Sequence, residues 1–139
     1  MSVSRPRSAL TFRLALRRYA LPLDSTSGVR DLGTVRRIPG APAGWFGLTD
    51  WNGRMINVID LPALLDDRGV EKARSIVRLR APWKDLALFV PAHLGLSELT
   101  LPEEVPAGKA YAALGSGQDA LHWVDLRALL ADTADVSVR

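Results

Sequence analysis

Short segments in which apolar residues alternate with polar ones recur along this chain, and turn-forming residues separate them. Phe12, Leu14 and Leu16 alternate with their neighbours near the start, and the same pattern returns in 55–61 and 75–80. A period of two residues is typical of a β-strand with one buried face, and it does not fit an amphipathic helix. The pattern therefore restricts the chain to an all-β fold with many short strands and little helix.

Further segments share this short length and are flanked by Gly, Pro, Asn or Asp. The additional strands expected are Tyr19–Leu21, which completes an opening hairpin before Pro22, Val29–Leu32, Trp45–Leu48, Leu86–Val90, Leu94–Leu101, Tyr111–Leu114 and Leu121–Val124. Short helices are predicted near 61–66 and 125–131, the second capped by Asp125, and the tail 132–139 is expected to fray. The residues alone are compatible with one small barrel, a sandwich or two small barrels in tandem.

The length and composition exclude several classes of protein. A chain of 139 residues suits one domain covering 1–139, or one domain made of two small lobes. Because the sequence has no cysteine, disulfides, thiolate nucleophiles and cysteine-based zinc sites are excluded, which fits a reducing cytoplasm. No apolar run approaches the roughly 20 residues of a spanning helix, so no membrane insertion is expected.

Positive charge is concentrated at the start of the chain, although the net charge is only +3. Residues 1–37 hold eight arginines against two aspartates, whereas residues 38–139 hold ten basic and thirteen acidic residues. A basic end can bind nucleic acid or anionic lipid. Here the arginines are interleaved with strand-like apolar residues, and this arrangement favours a solvated strand face.

A small basic β-barrel that binds nucleic acid is nevertheless the second hypothesis. Its binding residues would be Arg5 to Arg18, Arg36 and Arg37. Aromatic residues interleaved with the basic ones would support such a function, since bases stack on aromatic rings, and only Phe12 and Tyr19 qualify. We therefore expect no nucleic-acid partner.

Residues with catalytic or metal-binding chemistry are few and scattered. His93 and His122 lack acidic or histidine neighbours at metal-ligand spacing. Ser116 lacks the strand–turn–helix context of a nucleophile, and the adjacent carboxylates Asp66 and Asp67 diverge in a turn. The sequence therefore predicts no enzyme activity, no cofactor and no metal site.

The step Asn52-Gly53 lies between two apolar segments and has the preferred composition of a two-residue type I′ hairpin turn. Both residue types tolerate the positive φ angles that this turn requires. Trp51 precedes the turn, and two roles for it remain open. It either anchors an interface at an exposed tip or packs into the core.

The order of motifs around this turn resembles the signature of CheW-like domains. That signature has a proline-bearing loop, a Gly-apolar pair, Asn-Leu-Arg-Gly and a strand ending in Pro-Val-Ile-Asp-Leu. The corresponding residues here are Ile38 to Pro42, Gly47-Leu48, Asn52 to Arg54 and Val58 to Leu61. Weaker similarity on both sides extends the resemblance to about 10–131.

The resemblance implies a fold of two SH3-like, five-stranded β-barrels packed on a shared apolar interface. It also implies a non-catalytic adaptor between the regulatory domain of a CheA-type histidine kinase and the cytoplasmic tip of methyl-accepting chemoreceptors, in the cytoplasm at membrane-associated arrays. A CheW-like scaffold with a different, dedicated protein partner is an alternative. Position by position, the resemblance assigns the protein-binding surface to Val29, Asp31, Leu48, Asp50, Trp51, Asn52, Gly53 and Arg54.

The chain departs from the family pattern at the turn. The family's Asn-Leu-Arg-Gly corresponds here to Asp50-Trp51-Asn52-Gly53, so Asn52 occupies the position of the family arginine, and Asp31 occupies that of a glutamate expected to lie close to it. We therefore expect Asp31 to face Asn52, with a hydrogen bond weaker than a charge-assisted pair. Arg54, one position beyond the turn, is a candidate to supply the missing charge.

Overall fold

The computed structural model describes residues 6–40, 44–68, 74–100, 110–114, 117 and 120–131. Within this part, the strands are β1 (Pro6–Arg13), β2 (Arg18–Pro22), β3 (Thr26–Asp31), β4 (Trp45–Trp51), β5 (Arg54–Asp60), β6 (Ser75–Leu79), β7 (Leu86–Val90), β8 (Gly95–Thr100), β9 (Tyr111–Ala113) and β10 (Leu121–Val124). The helices are a 3₁₀ turn (Leu23–Ser25), α1 (Leu61–Leu65) and α2 (Leu126–Leu129). Arg5 and the tail 132–139 lie outside the described residues.

The strands form two five-stranded sheets. In the first sheet the spatial order is β8-β1-β2-β10-β9, and in the second it is β3-β6-β7-β5-β4. Most neighbours are antiparallel, but β2 pairs in parallel with β10 and β5 pairs in parallel with β7. The second sheet comes from one continuous stretch of chain, and the first combines strands from both sides of that stretch. The predicted all-β class is confirmed.

Apolar side chains from both sheets share the largest core. Phe12 and Leu21 from the first sheet join Ile59 and Leu88 from the second, all with 7% exposure or less. A separate cluster lies within the second sheet and includes Phe46, Trp51 and Phe89, which are likewise buried. The two sheets therefore meet on a common apolar interface, as the alternating strands require.

The expectation that Leu16 shares the buried face of Phe12 and Leu14 is wrong, because Leu16 is 63% exposed. Strand β1 ends at Arg13, and the chain turns immediately afterwards, with the Leu14 amide donating to the Arg17 carbonyl over 3.0 Å. A turn interrupts the period of two, so Leu16 no longer follows the alternation of the strand.

Both predicted short helices are present, and aspartates begin them. The Asp60 side chain accepts from the Ala63 amide at the start of α1. Asp125 accepts from the amides of Arg127 and Ala128 at 3.1 and 3.3 Å, which confirms the predicted cap of α2. Within the described residues, no helix is both long and apolar enough to cross a membrane.

Asp67 joins the two sheets through a buried hydrogen-bond network. Its carboxylate, in the segment after α1, accepts from the backbone amides of Leu16 and Arg17 at 2.7 and 3.0 Å. It also accepts from the Tyr19 hydroxyl at 2.8 Å, and both side chains are fully or almost fully buried. Burial raises the pKa of the Tyr19 hydroxyl above its ordinary value, and the hydrogen bond to Asp67 adds to the effect. The β1–β2 turn is therefore held against the segment that follows α1.

Candidate protein-binding surface

The turn at Asn52 and Gly53 is the two-residue hairpin that the sequence predicts. Trp51 pairs with Arg54, so β4 and β5 are joined by these two residues alone. Their φ angles are 52° and 84°, both in the left-handed region that a type I′ turn requires. The Asp50 carboxylate accepts from the Gly53 amide at 2.8 Å, and this bond fixes the shape of the tip.

Trp51 packs into the core of the second sheet, which resolves the two roles left open by the sequence. Only 8% of its surface is exposed. The guanidinium groups of Arg30 and Arg78 lie 4.5 and 5.9 Å from its ring centroid, within the range of cation–π attraction. Gly28 lies beside the indole, where an added Cβ would approach to 3.2 Å. Trp51 therefore supports the tip from within.

Strands β3 and β4 are the two edges of the second sheet, and Arg30 joins them. Its guanidinium donates to the Asp50 carbonyl at 2.7 Å and to the Thr49 hydroxyl at 3.2 Å. Just after β3, Arg36 and Leu48 form a pair of backbone hydrogen bonds of 2.7 and 2.9 Å. These contacts bring the two edges together and close the second sheet on itself.

The joined edges bring four of the sequence-predicted residues onto one outer surface, which we name the seam face. On β3, Val29 and Asp31 are exposed on either side of Arg30, which is half-buried. On β4, half-buried Leu48 and exposed Asp50 alternate with buried residues. Arg30 contacts Thr49 and Trp51, so these three side chains lie on the inner side of their strands. Alternate residues of a strand point to opposite faces, and Val29, Asp31, Leu48 and Asp50 are therefore directed outward.

Asp31 and Asn52, which were expected to face each other, are not joined by a hydrogen bond among the described residues. Asp31 instead lines a shallow depression with Leu32, Gly33 and Arg74. The residue that reaches the hairpin from β3 is Arg30, one position earlier. The cation in this region thus comes from β3, whereas the family pattern places it at the tip.

Arg54 is engaged on the other side of the hairpin. Its Nε donates to the Asp85 carboxylate at 3.0 Å, and both side chains are about half exposed, at 51% and 55%. Asp85 lies in the loop between β6 and β7, on the side of β5 that faces β7. The charge of Arg54 therefore does not replace a cation on the seam face.

Several arginines proposed for nucleic-acid binding have partners within the protein. Arg7 pairs with Asp24 at 3.1 Å, Arg17 lies over Tyr111 and Arg37 lies over Phe46. The aromatic residues that could stack on bases, Phe12 and Tyr19, are buried, with exposures of 4% and 0%. Over residues 6–18, which the structure describes, a stacking face of interleaved aromatic and basic residues is therefore not formed.

The two histidines are also placed without a metal-like environment. The His122 ring lies 6.0 Å from Tyr19 and 5.8 Å from Tyr111, and its Nδ1 is 3.3 Å from the Arg18 carbonyl. In the described part of the chain, no three His, Cys, Asp or Glu residues are grouped as metal ligands would be.

Comparison with known families identifies the fold and its family. The family model described as the CheW-like domain matches residues 8–133. The chain belongs to the CheW-like domain family. Members of this family are scaffold and adaptor proteins of chemotaxis and are not catalysts. The match begins two residues into β1 and extends beyond α2, so it includes both sheets of the CheW-like chain.

A solved structure supports the same architecture. The chain is similar to the scaffolding protein TtCheW from Thermoanaerobacter tengcongensis, with a TM-score of 0.70 and 21% sequence identity over 91% of this chain and 93% of that one. At this identity the similarity establishes the fold, which is two SH3-like barrels, and the predicted fold is confirmed. A search of curated protein sequences gives no significant match.

Proposed function

We propose that this CheW-like protein couples a CheA-type histidine kinase to the cytoplasmic tip of methyl-accepting chemoreceptors, or to a related motility signalling complex. It would bind the kinase through the regulatory domain of that enzyme and act in the cytoplasm at membrane-associated receptor arrays. Family membership supports an adaptor role. The observation that carries the assignment of the surface is the seam face, where Val29, Asp31, Leu48 and Asp50 lie together beside the hairpin tip.

The seam face has the character of a transient protein-binding surface. Val29 offers an exposed apolar side chain, at 45% exposure, and Asp31 on the same strand and Asp50 on β4 are exposed carboxylates. An apolar contact surrounded by polar groups is the usual arrangement of a protein interface. Asn52 and Gly53 extend this surface at the tip. The contact between Arg30 and the Trp51 ring packs beneath the surface and supports it.

Two calorimetric titrations test the proposal. In one, the protein is titrated with the regulatory domain of a CheA-type kinase from the same cell, and in the other with a soluble fragment of the receptor tip, each at two salt concentrations. We expect saturable one-to-one binding in both. We propose the seam face as the receptor-facing surface, because the family resemblance places the receptor contact on these positions. Val29→Glu should therefore weaken receptor binding by about tenfold or more, the effect of losing a central contact, and leave kinase binding within about twofold.

Leu96→Glu provides the matched control. Leu96 is also an exposed apolar strand residue, at 70%, but it lies on β8 of the first sheet. The control should leave both affinities unchanged. Absence of binding to both kinase and receptor would refute the coupling role, and an equal loss for Val29→Glu and Leu96→Glu would refute the assignment of the seam face.

A CheW-like scaffold with a different, dedicated partner is the second candidate, and the hairpin tip favours it. Asn52 stands where the family pattern has arginine, and the local cation is Arg30 on β3. A partner that requires a guanidinium at the tip would lose a bidentate contact here. Asn52→Arg distinguishes the two candidates, because it should strengthen binding to a standard receptor and weaken binding to a dedicated partner.

A further inference from the structure

A groove rich in positive charge lies next to the hairpin tip, on the side of Ser27 and the β6–β7 loop. Its volume is about 690 Å³, and none of the residues that line it is acidic. The lining includes Ser27, Trp51, Asn52, Arg78, Arg80 and Lys84, and we name it the basic groove.

The two arginines of the basic groove are positioned by backbone carbonyls and leave donors unused. The Arg78 Nε donates to the Lys84 carbonyl at 3.4 Å, and the Arg80 Nε donates to the Thr26 carbonyl at 2.9 Å. These bonds orient both side chains but involve only one nitrogen of each guanidinium. Neither arginine, nor Lys84, forms an ion pair with a carboxylate of the described residues. The terminal nitrogens therefore remain for an external acceptor.

The groove is continuous with the surface proposed to bind a partner. Asn52 belongs both to the hairpin tip beside the seam face and to the lining of the groove. A protein that docks on the seam face would therefore lie next to the three cations. We propose that the basic groove receives a carboxylate-rich segment of that docked protein, an inference that rests on the proposed adaptor function.

The surroundings of the groove favour protein carboxylates over a nucleic acid. Asp50 forms part of the hairpin tip, and Asp85 follows Lys84 directly and pairs with Arg54. These carboxylates would repel the regularly spaced phosphates of an extended polyanion. A short acidic segment places its few negative charges on Arg78, Arg80 and Lys84 and avoids that repulsion.

The test follows indole N–H signals of the ¹⁵N-labelled full chain by NMR. One probe is a synthetic peptide that alternates glutamate with serine, and a second has glutamine in place of every glutamate. Trp51 reports on the groove. Trp123, on β10 of the first sheet with Arg7 near its ring at 5.7 Å, reports on charge attraction elsewhere. We expect the glutamate peptide to shift the Trp51 signal in a saturable way, to leave Trp123 unchanged and to bind more tightly than the glutamine peptide.

Charge-neutralised variants locate the site. Arg78→Gln combined with Lys84→Gln should raise the Kd of the glutamate peptide by about fivefold or more, as expected for the loss of two exposed ion pairs. Lys84→Gln alone, on an exposed loop residue, should raise it by about twofold to fourfold and guards against loss of folding in the double variant. Arg127→Gln, which removes an exposed arginine on α2, is the matched control and should change it by less than about twofold.

Four results would overturn the proposal. Two come from the peptide titration: absence of binding by the glutamate peptide, and equal shifts of the Trp51 and Trp123 signals. The third is an equal change of Kd in the groove variants and in Arg127→Gln, and the fourth is tighter binding of a thymidine oligonucleotide at the groove. Because neither kinase nor receptor is present, failure here leaves the coupling role intact. Conversely, if the protein bound neither kinase nor receptor in the calorimetric titrations, the NMR titrations with the two peptides would still show whether the groove prefers glutamate to glutamine.

Discussion

The guanidinium of Arg30 lies over the indole of Trp51, 4.5 Å from the ring centroid, and donates to the backbone carbonyl of Asp50. Arg30 belongs to β3 and Trp51 to β4, the two edge strands of the second sheet. One side chain thus combines a cation–π contact with hydrogen bonds across the point where the sheet closes. The seam face depends on this link, because Val29 and Asp31 flank Arg30 in sequence.

Arg30→Ala should lower the free energy of unfolding by about 2 kcal/mol, since it removes a partly desolvated cation–π contact and two hydrogen bonds. The variant should also weaken receptor binding, because β3 is no longer tied to the hairpin. Urea unfolding followed by tryptophan fluorescence measures the first effect, and calorimetry measures the second. Arg36→Ala, an exposed arginine that contributes only backbone hydrogen bonds to the same junction, is the control. Equal stability of the two variants would contradict the role of Arg30.

Asp67→Asn should lower the free energy of unfolding by about 2–3 kcal/mol, because a buried amide presents one acceptor oxygen to three donors and leaves others unsatisfied. The matched substitution Asp66→Asn changes an exposed neighbour and should cost less than about 0.5 kcal/mol. Thermal and urea unfolding measure both. A loss at Asp67 no larger than at Asp66 would show that the carboxylate does not hold the two sheets together.

Tyr19 should make the protein sensitive to alkali. Burial raises the pKa of its hydroxyl, so the neutral form is favoured in the folded chain. Tyrosine in the unfolded chain ionises near pH 10, and above that pH the unfolded state loses a proton that the folded state keeps. The stability should therefore fall as the pH rises above about 10, by as much as 1.4 kcal/mol per pH unit from this group. Tyr19→Phe should flatten that part of the stability profile, and an unchanged alkaline slope would contradict the prediction.

Two glycines of the second sheet should differ in their tolerance of alanine. A Cβ on Gly47 would lie 2.6 Å from the Arg36 carbonyl oxygen, so β4 or the Arg36–Leu48 bridge must shift. A Cβ on Gly53 meets nothing within 4 Å, and only its φ of 84° opposes the substitution. We expect Gly53→Ala to cost about 1–2 kcal/mol and Gly47→Ala about 3 kcal/mol or more, as measured by urea unfolding. The reverse order would be inconsistent with the bridge.

Features that depend on neighbouring residues in the sequence were predicted well. The Asn52-Gly53 turn follows from the φ angles that these two residue types tolerate, and the Asp125 cap follows from its position before an apolar helical segment. Most strands were also predicted, because alternation is a local pattern. The burial predicted for Leu16 was the exception, because a turn interrupts the alternation there.

Features that depend on contacts between distant parts of the chain were missed. Arg30 was treated as a surface residue. Its neighbours Val29 and Asp31 were assigned to the binding surface, and strand alternation would then have directed Arg30 to the other face. Asp67 was treated as part of a polar turn, and nothing near it in sequence indicates that amides some 50 residues earlier point at it. The expected hydrogen bond between Asp31 and Asn52 is absent. The family spacing does not reveal that the cation near the hairpin is Arg30 on β3, where the family pattern has an arginine at the tip.

In the sequence, the strands of the second sheet all lie between the early and the late strands of the first sheet, and this order has a consequence for synthesis on the ribosome. All partners of the second sheet lie between Thr26 and Val90, so the sheet that carries the seam face can pair completely while later residues are still being added. β1 and β2, made first, must wait for β8 and β10. Until then the apolar surface of that early hairpin has only the second sheet to cover it. Nascent chains long enough for Val90 to have left the ribosome should therefore already resist proteolysis across the hairpin tip and remain cleavable near the N-terminus.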